Sequence, residues 1–174
     1  MRKSESIGRE WDDASESWVD FVRRGKDYYR DELNNPPFFE LIGEVKGKAI
    51  LDLACGEGYN TRILAKKGGK VIGIDISRKL IEFARQEEER ERLNIRYYVM
   101  DACRMDKFRE NGFDLVTCFM ALQDIRNYEK AVSQLARVLN NGGEICLFHP
   151  PSVFRDHDSE RKEDWGNRTI FWGG

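Results

Sequence analysis

Cysteine, histidine and proline are all scarce in this chain, whose 174 residues include four, two and four of them. Cys55, Cys103, Cys118 and Cys146 lie far apart and spell no C-x-x-C pair, and both histidines, His149 and His157, come late. No compact Cys/His zinc site is spelled, so no metal site is expected, and the thiols read as those of a reduced, cytoplasmic protein. Long apolar runs are missing too. The opening Met-Arg-Lys-Ser-Glu-Ser leads into polar sequence with nothing that reads as a signal peptide or membrane span. Positive charge is not in excess: 29 Lys and Arg face 31 Asp and Glu, a net of −2. That balance argues against a nucleic-acid partner on electrostatic grounds. There is no internal repeat and no low-complexity linker.

What remains is a chain long enough for one domain with a proper core, 40% apolar and 34% charged. Residues 5–30 predict a helix, with Trp11, Ser15, Trp18, Val19, Phe21 and Val22 as a rough apolar stripe. Ala49–Ala54 is a short apolar run that leads into Cys-Gly-Glu-Gly and a helical pattern through Thr61-Arg-Ile-Leu-Ala-Lys-Lys. Gly68-Gly69 stops that helix, Lys70–Ile76 is a second strand, and Ser77 is placed to cap the next helix. Its charged face, Gln86–Arg92, reads as a solvated surface. Further strands are predicted at Ile95–Met100, Phe113–Phe119 and Glu144–Phe148, with a helix over Tyr128–Leu139 ending at Asn-Asn-Gly-Gly. Such alternation predicts an α/β fold, a parallel sheet with helices on both faces.

In that architecture ligands bind beyond the carboxyl ends of the strands, beside the first strand. The segment there is Asp52-Leu-Ala-Cys-Gly56-Glu-Gly58. Its glycines allow close approach to backbone, and the helix that follows offers free N–H groups to a carboxylate or phosphate. Asp75 ends the second strand, as expected for a group that grips two ribose hydroxyls, and Asp101 ends the third. A dinucleotide fingerprint would need a third glycine where Thr61 stands, and it has no use for Asp52. Asp52 suits instead a ligand that carries an ammonium group.

These segments resemble the class I S-adenosylmethionine-dependent methyltransferases, Rossmann-like enzymes with a mostly parallel open sheet. "ILDLACGEGYNT", "VIGIDIS", "VMDACRMD", "FDLVTCFMALQDI" and "RVLNNGGEICLFHPP" are similar to that family's five motifs, in order, over residues 48–151. The resemblance implies S-adenosyl-L-methionine as cofactor. It places Asp52 and the backbone of Ala54, Cys55 and Gly56, with Gly58, at the methionine portion. It places Asp75 on the ribose, Ile76 on the adenine, Asp101 and the Ala102 backbone at the adenine edge, and Phe119 between methionine and substrate. Tyr28 or Tyr29, in a segment that covers the cofactor in related enzymes, would add a contact. Ala54 stands where the first motif usually begins with glycine. The implied organisation is a single domain: a helical cap (1–46), a five-stranded core (47–150) and an abbreviated insertion or tail (151–174).

Plainer roles compete with these. Gly56 and Gly58 also suit a tight turn, Asp75 and Asp101 suit helix caps, and Ile76 and Phe119 suit core positions. Cys55 reads as a small filler, with no histidine near it in sequence. Candidates for moving a proton are His149, after the fifth strand, and Asp124 in Leu-Gln-Asp-Ile; the catalytic residue itself is left unassigned. The family's sheet has seven strands, the last two an antiparallel hairpin. Here the chain stops soon after its fifth, with Thr169–Trp172 as the start of another. The fifth strand would then be an edge that a partner subunit, as in a homo-oligomer, could cover. The expected function is methyl transfer to a small molecule. The alternatives are a cofactor-binding module without turnover and, less favoured, a nicotinamide-dependent oxidoreductase. One spelling misleads: Asn35-Pro36-Pro37-Phe38 matches the tetrad of enzymes that methylate exocyclic amino groups, but it precedes the first strand instead of following the fourth. It is expected to start a helix, with Asn35 as its N-cap.

Overall fold

A computed structural model describes residues 2–148 and 169–173. Six strands form one sheet in the order β3-β2-β1-β4-β5-β6, and every neighbouring pair is parallel. They are β1 (Ala49–Leu53), β2 (Lys70–Asp75), β3 (Arg96–Val99), β4 (Phe113–Phe119), β5 (Leu139–Phe148) and β6 (Thr169–Gly173). The helices are α1 (Arg2–Arg23), α2 (Asn35–Ile42), α3 (Tyr59–Lys66), α4 (Arg78–Glu91) and α5 (Tyr128–Val138). The fold is thus Rossmann-like, with N-terminal helices added. The strand order reverses between β1 and β4, which opens a crevice at their carboxyl ends.

Alternation along the strands divides the core between the two faces. Leu51, Leu53, Val116, Cys118, Ile145 and Leu147 pack with Leu135 and Val138 of α5. Their neighbours Ile50, Leu115, Cys146 and Phe148 pack on the other side with Phe38 and Ile42 of α2 and Leu64 of α3. Continuous apolar runs are what a sheet covered on both faces requires.

Several boundaries differ from the sequence reading. The N-terminal helix ends at Arg23, and Gly25 takes a left-handed φ of 63° just beyond it. A π-helical turn, Tyr29–Asn34, then runs directly into α2. Asn35 is therefore the first residue of α2 and not its cap, since the chain enters already coiled. The segment Asn140–Gly143, expected as a turn, lies inside β5, where pairing with β4 jumps from Phe113–Leu139 to Leu115–Glu144. Beyond the five main strands, the segment read as the start of another is β6, which pairs Thr169 with Glu144 through Gly173 with Phe148. The fifth strand is consequently not the edge.

Helix α1 crosses the carboxyl end of the sheet and is fastened there. Asp12 Oδ1 accepts from Ser77 Oγ (2.6 Å) and the Lys79 N–H (3.0 Å), at the start of α4. At the far end, Arg23 pairs with Glu57 (3.5 Å) and Glu87 (3.0 Å). Gly8 is needed for the close approach, because a β-carbon there would stand 3.2 Å from the Ile76 carbonyl oxygen.

Candidate cofactor and substrate site

Residues 54–58 turn the chain from β1 into α3 with three left-handed residues, Ala54 (φ 53°), Gly56 (φ 58°) and Gly58 (φ 83°). The two glycines serve different ends. Around Gly56 there is open space, whereas a β-carbon on Gly58 would lie 2.5 Å from the Tyr97 hydroxyl. Ala54 and Met120 (φ 56°), at the ends of β1 and β4, are non-glycine residues held left-handed on the rim of the crevice. Such strain collects at ligand sites.

The three strand-end acids occupy distinct environments. Asp52 is 2% exposed, and its oxygens accept from the Thr61 hydroxyl (2.6 Å) and the Thr117 hydroxyl (2.8 Å). Burial pushes its pKa up to about 6, against the two hydroxyl bonds, with Asp75 adding to the rise. Thr61, which breaks the dinucleotide fingerprint, is thus the donor that Asp52 uses. Asp75 accepts from the N–H groups of Gly56 (2.9 Å) and Ser77 (2.8 Å). Burial lifts it, too, to about 6, opposed by those backbone bonds and reinforced by nearby Asp12. Asp101 Oδ1 accepts from the Cys103 N–H at 2.8 Å.

A cavity of about 400 Å³ opens at the crevice. Its walls come from α1 (Ile7, Trp11, Trp18), the π-helical turn (Tyr29, Arg30, Asn34), the glycine loop and α3 (Ala54, Gly56, Glu57, Tyr59, Asn60), β2 (Asp75, with Ile76 after it) and the segment after β4. A recess of about 50 Å³ adjoins it, sharing Ala54, Asp75, Ile76 and Asp124 and adding Met100, Asp101 and Ala102.

Of the residues singled out from sequence, Ala54, Gly56, Asp75, Ile76, Phe119 and Asp124 line the cavity, and Asp101 and Ala102 line the recess. Asp52, Cys55 and Gly58 are not on either wall. Burial, with Asp75 and Asp52 nearby, raises the Cys55 thiol well above its ordinary pKa, so it is a poor nucleophile. Tyr28 is 60% exposed and away from the wall, whereas Tyr29 is on it. His149 lies outside the described residues, as does the tail over 150–168. Among the described residues no cluster of His, Cys, Asp and Glu could hold a metal, and no helix is long and apolar enough to cross a membrane.

Sequence reasoning passed over Arg30 and Asn60 and placed Trp11 and Trp18 only in an apolar stripe. Their spacing of seven is two helical turns, and that was the available signal. The tetrad residues 35–38 do not line the cavity. Phe38 instead packs behind it, 4.8 Å from Phe119 and 5.8 Å from Phe148 between ring centroids.

The fold and its crevice define a class I S-adenosylmethionine-dependent methyltransferase architecture. The chain belongs to the methyltransferase domain family, whose sequence signature matches residues 51–147. It is 33% identical over 116 residues to a ubiquinone biosynthesis O-methyltransferase of Coxiella burnetii, covering 65% of this chain and 49% of that protein. It is 34% identical to a demethylmenaquinone methyltransferase of Thermus thermophilus, over 64% of this chain and 52% of that one. The chain therefore spans about half the length of the curated relatives it matches. Among solved structures, a S-adenosylmethionine dependent methyltransferase from Mesorhizobium loti is 28% identical with a TM-score of 0.57, covering 62% of this chain and 49% of that one.

Proposed function

We propose that this chain binds S-adenosylmethionine and transfers its methyl group directly to a small molecule. The observation that carries this reading is the joined cavity and recess, with Asp75 and Ile76 on the wall they share. The residues present fit that cofactor. In this reading the Asp75 carboxylate takes the ribose diol, Ile76 packs on the adenine, and Asp101 with the Ala102 backbone meets the adenine edge; their positions on the cavity and recess walls support it. The backbone of Ala54 and Gly56 would hold the methionine portion, with Phe119 beside it, and the presence of all three on the cavity wall supports this. The bound cofactor would supply an already activated methyl group. Positioning and exclusion of water are then left to the protein. Helix α1 serves the second, because Ile7, Trp11 and Trp18 close one side of the cavity. Asp124, on both walls, is placed to orient an acceptor or take its proton.

A small acceptor suits a cavity with Trp11, Trp18, Tyr29 and Tyr59 on its walls. The matches to the two quinone-pathway enzymes cover about half of each, so their acceptors are not carried over. Calorimetric titration with S-adenosylmethionine, S-adenosylhomocysteine and NAD tests the cofactor, and binding of NAD alone overturns the reading. Transfer of labelled methyl groups into metabolite pools tests turnover; cofactor binding with no transfer favours a binding module.

A further inference from the structure

The acid that ends β1 is turned away from the cavity, with both oxygens taken by threonine hydroxyls. A ligand bearing an ammonium–carboxylate head group has to find its side-chain partners elsewhere. Resting on the cofactor reading above, we propose that Arg30 and Asn60 form the receptor for that head group, the amino-acid end of the methyl donor.

Asn60 is only 8% exposed, lies on the cavity wall, and its Oδ1 has no hydrogen-bond partner among the described residues. An orphaned buried acceptor is destabilising, and a donor arriving with a ligand removes that cost. An ammonium is such a donor. Arg30, also 8% exposed and on the same wall, is held from three sides. Its guanidinium carbon lies 3.9 Å from the centroid of the Tyr59 ring, Nε and Nη2 donate to Asp31 (2.8 and 3.2 Å), and Nη2 also reaches the Val22 carbonyl (3.3 Å). Nη1 has no hydrogen bond to a described residue, which leaves charged N–H groups for a carboxylate.

The two side chains reach the same cavity wall by independent devices. Arg30 sits in the π-helical turn Tyr29–Asn34, a geometry often found at functional sites. Asn60 follows Tyr59 in the first turn of α3, where the helix dipole favours negative charge. Tyr59 links them as the platform under the guanidinium. The donor is thus fixed before any ligand arrives, which lowers the entropy lost on binding.

The test compares S-adenosylhomocysteine with methylthioadenosine, which keeps the nucleoside and thioether but lacks the amino-acid end. Wild type, Arg30→Met and Asn60→Ala are titrated calorimetrically with both. Wild type should prefer S-adenosylhomocysteine by about tenfold or more. Each variant should lose most of that margin while its affinity for methylthioadenosine stays within about twofold. Arg30→Lys should recover part of the margin. A margin intact in both variants, an equal loss on both ligands, or no margin in wild type overturns the proposal. Wild type that binds neither nucleoside is a separate outcome, which sinks the cofactor reading and this proposal with it.

Discussion

Replacing Asp52 by asparagine should make the ligand-free protein more stable above neutral pH, and the structure gives the size. Asp52 is buried with two hydroxyl donors and, among the described residues, no ion pair. Its pKa rises from 3.8 to about 6, chiefly through burial. That difference corresponds to about 3 kcal/mol between charged and neutral forms. The sign follows from which state holds the proton longer. Below about pH 4 the acid is protonated in both states and the penalty is absent. As pH rises toward about 6 the unfolded chain ionises first and stability falls; above that the full penalty applies. Asparagine keeps the shape, accepting from one threonine and donating to the other, and has no charge to bury. Urea unfolding of wild type and Asp52→Asn across this range should give curves that separate between about pH 4 and 6, then stay about 1–3 kcal/mol apart at pH 8. Parallel curves, or a less stable variant at pH 8, would refute the reasoning.

Asp75→Ala should weaken S-adenosylmethionine binding by about 1–3 kcal/mol through lost charge-assisted hydrogen bonds, and an unchanged dissociation constant counts against its placement on the ribose. Gly58→Ala puts a β-carbon at a φ of 83° against the Tyr97 ring. A loss of about 1–3 kcal/mol in chemical unfolding is expected. Phe38→Ala empties a site with 0% exposure and should cost about 3–5 kcal/mol, with the altered support of Phe119 visible as weaker ligand binding.

The strands were legible because each is a short continuous apolar run, which a doubly covered sheet imposes on its sequence. Asp75 and Asp101 were legible for a related reason: a side chain at the carboxyl end of a strand in such a sheet meets the crevice. What tertiary packing decides was not legible. Asn35 reads as a cap only if the chain before it is extended, and the π-helical turn removes that premise. Asn140–Gly143 has the composition of a turn, yet β5 runs on through it as an irregularity, because Leu139 and Glu144 on either side both pair with β4. Arg30 and Asn60 lie on different elements thirty residues apart, so no local pattern announces that they share a wall. Asp52 shows the subtler gap, because its position was readable while its orientation depends on Thr117, 65 residues away in sequence on the neighbouring strand.

Ser77 joins two parts of the molecule that meet at the cavity, the end of β2 and helix α1. Its N–H donates to Asp75 and its hydroxyl to Asp12 of α1, and Asp12 in turn raises the proton affinity of Asp75. Reciprocity then requires that whatever alters the charge at Asp75 alters the docking of α1 by the same free energy. The N-terminal helix is in this sense a reporter. Amide exchange along α1 should follow the protonation and occupancy of Asp75, so the helix that closes one side of the cavity also registers the charge at its base.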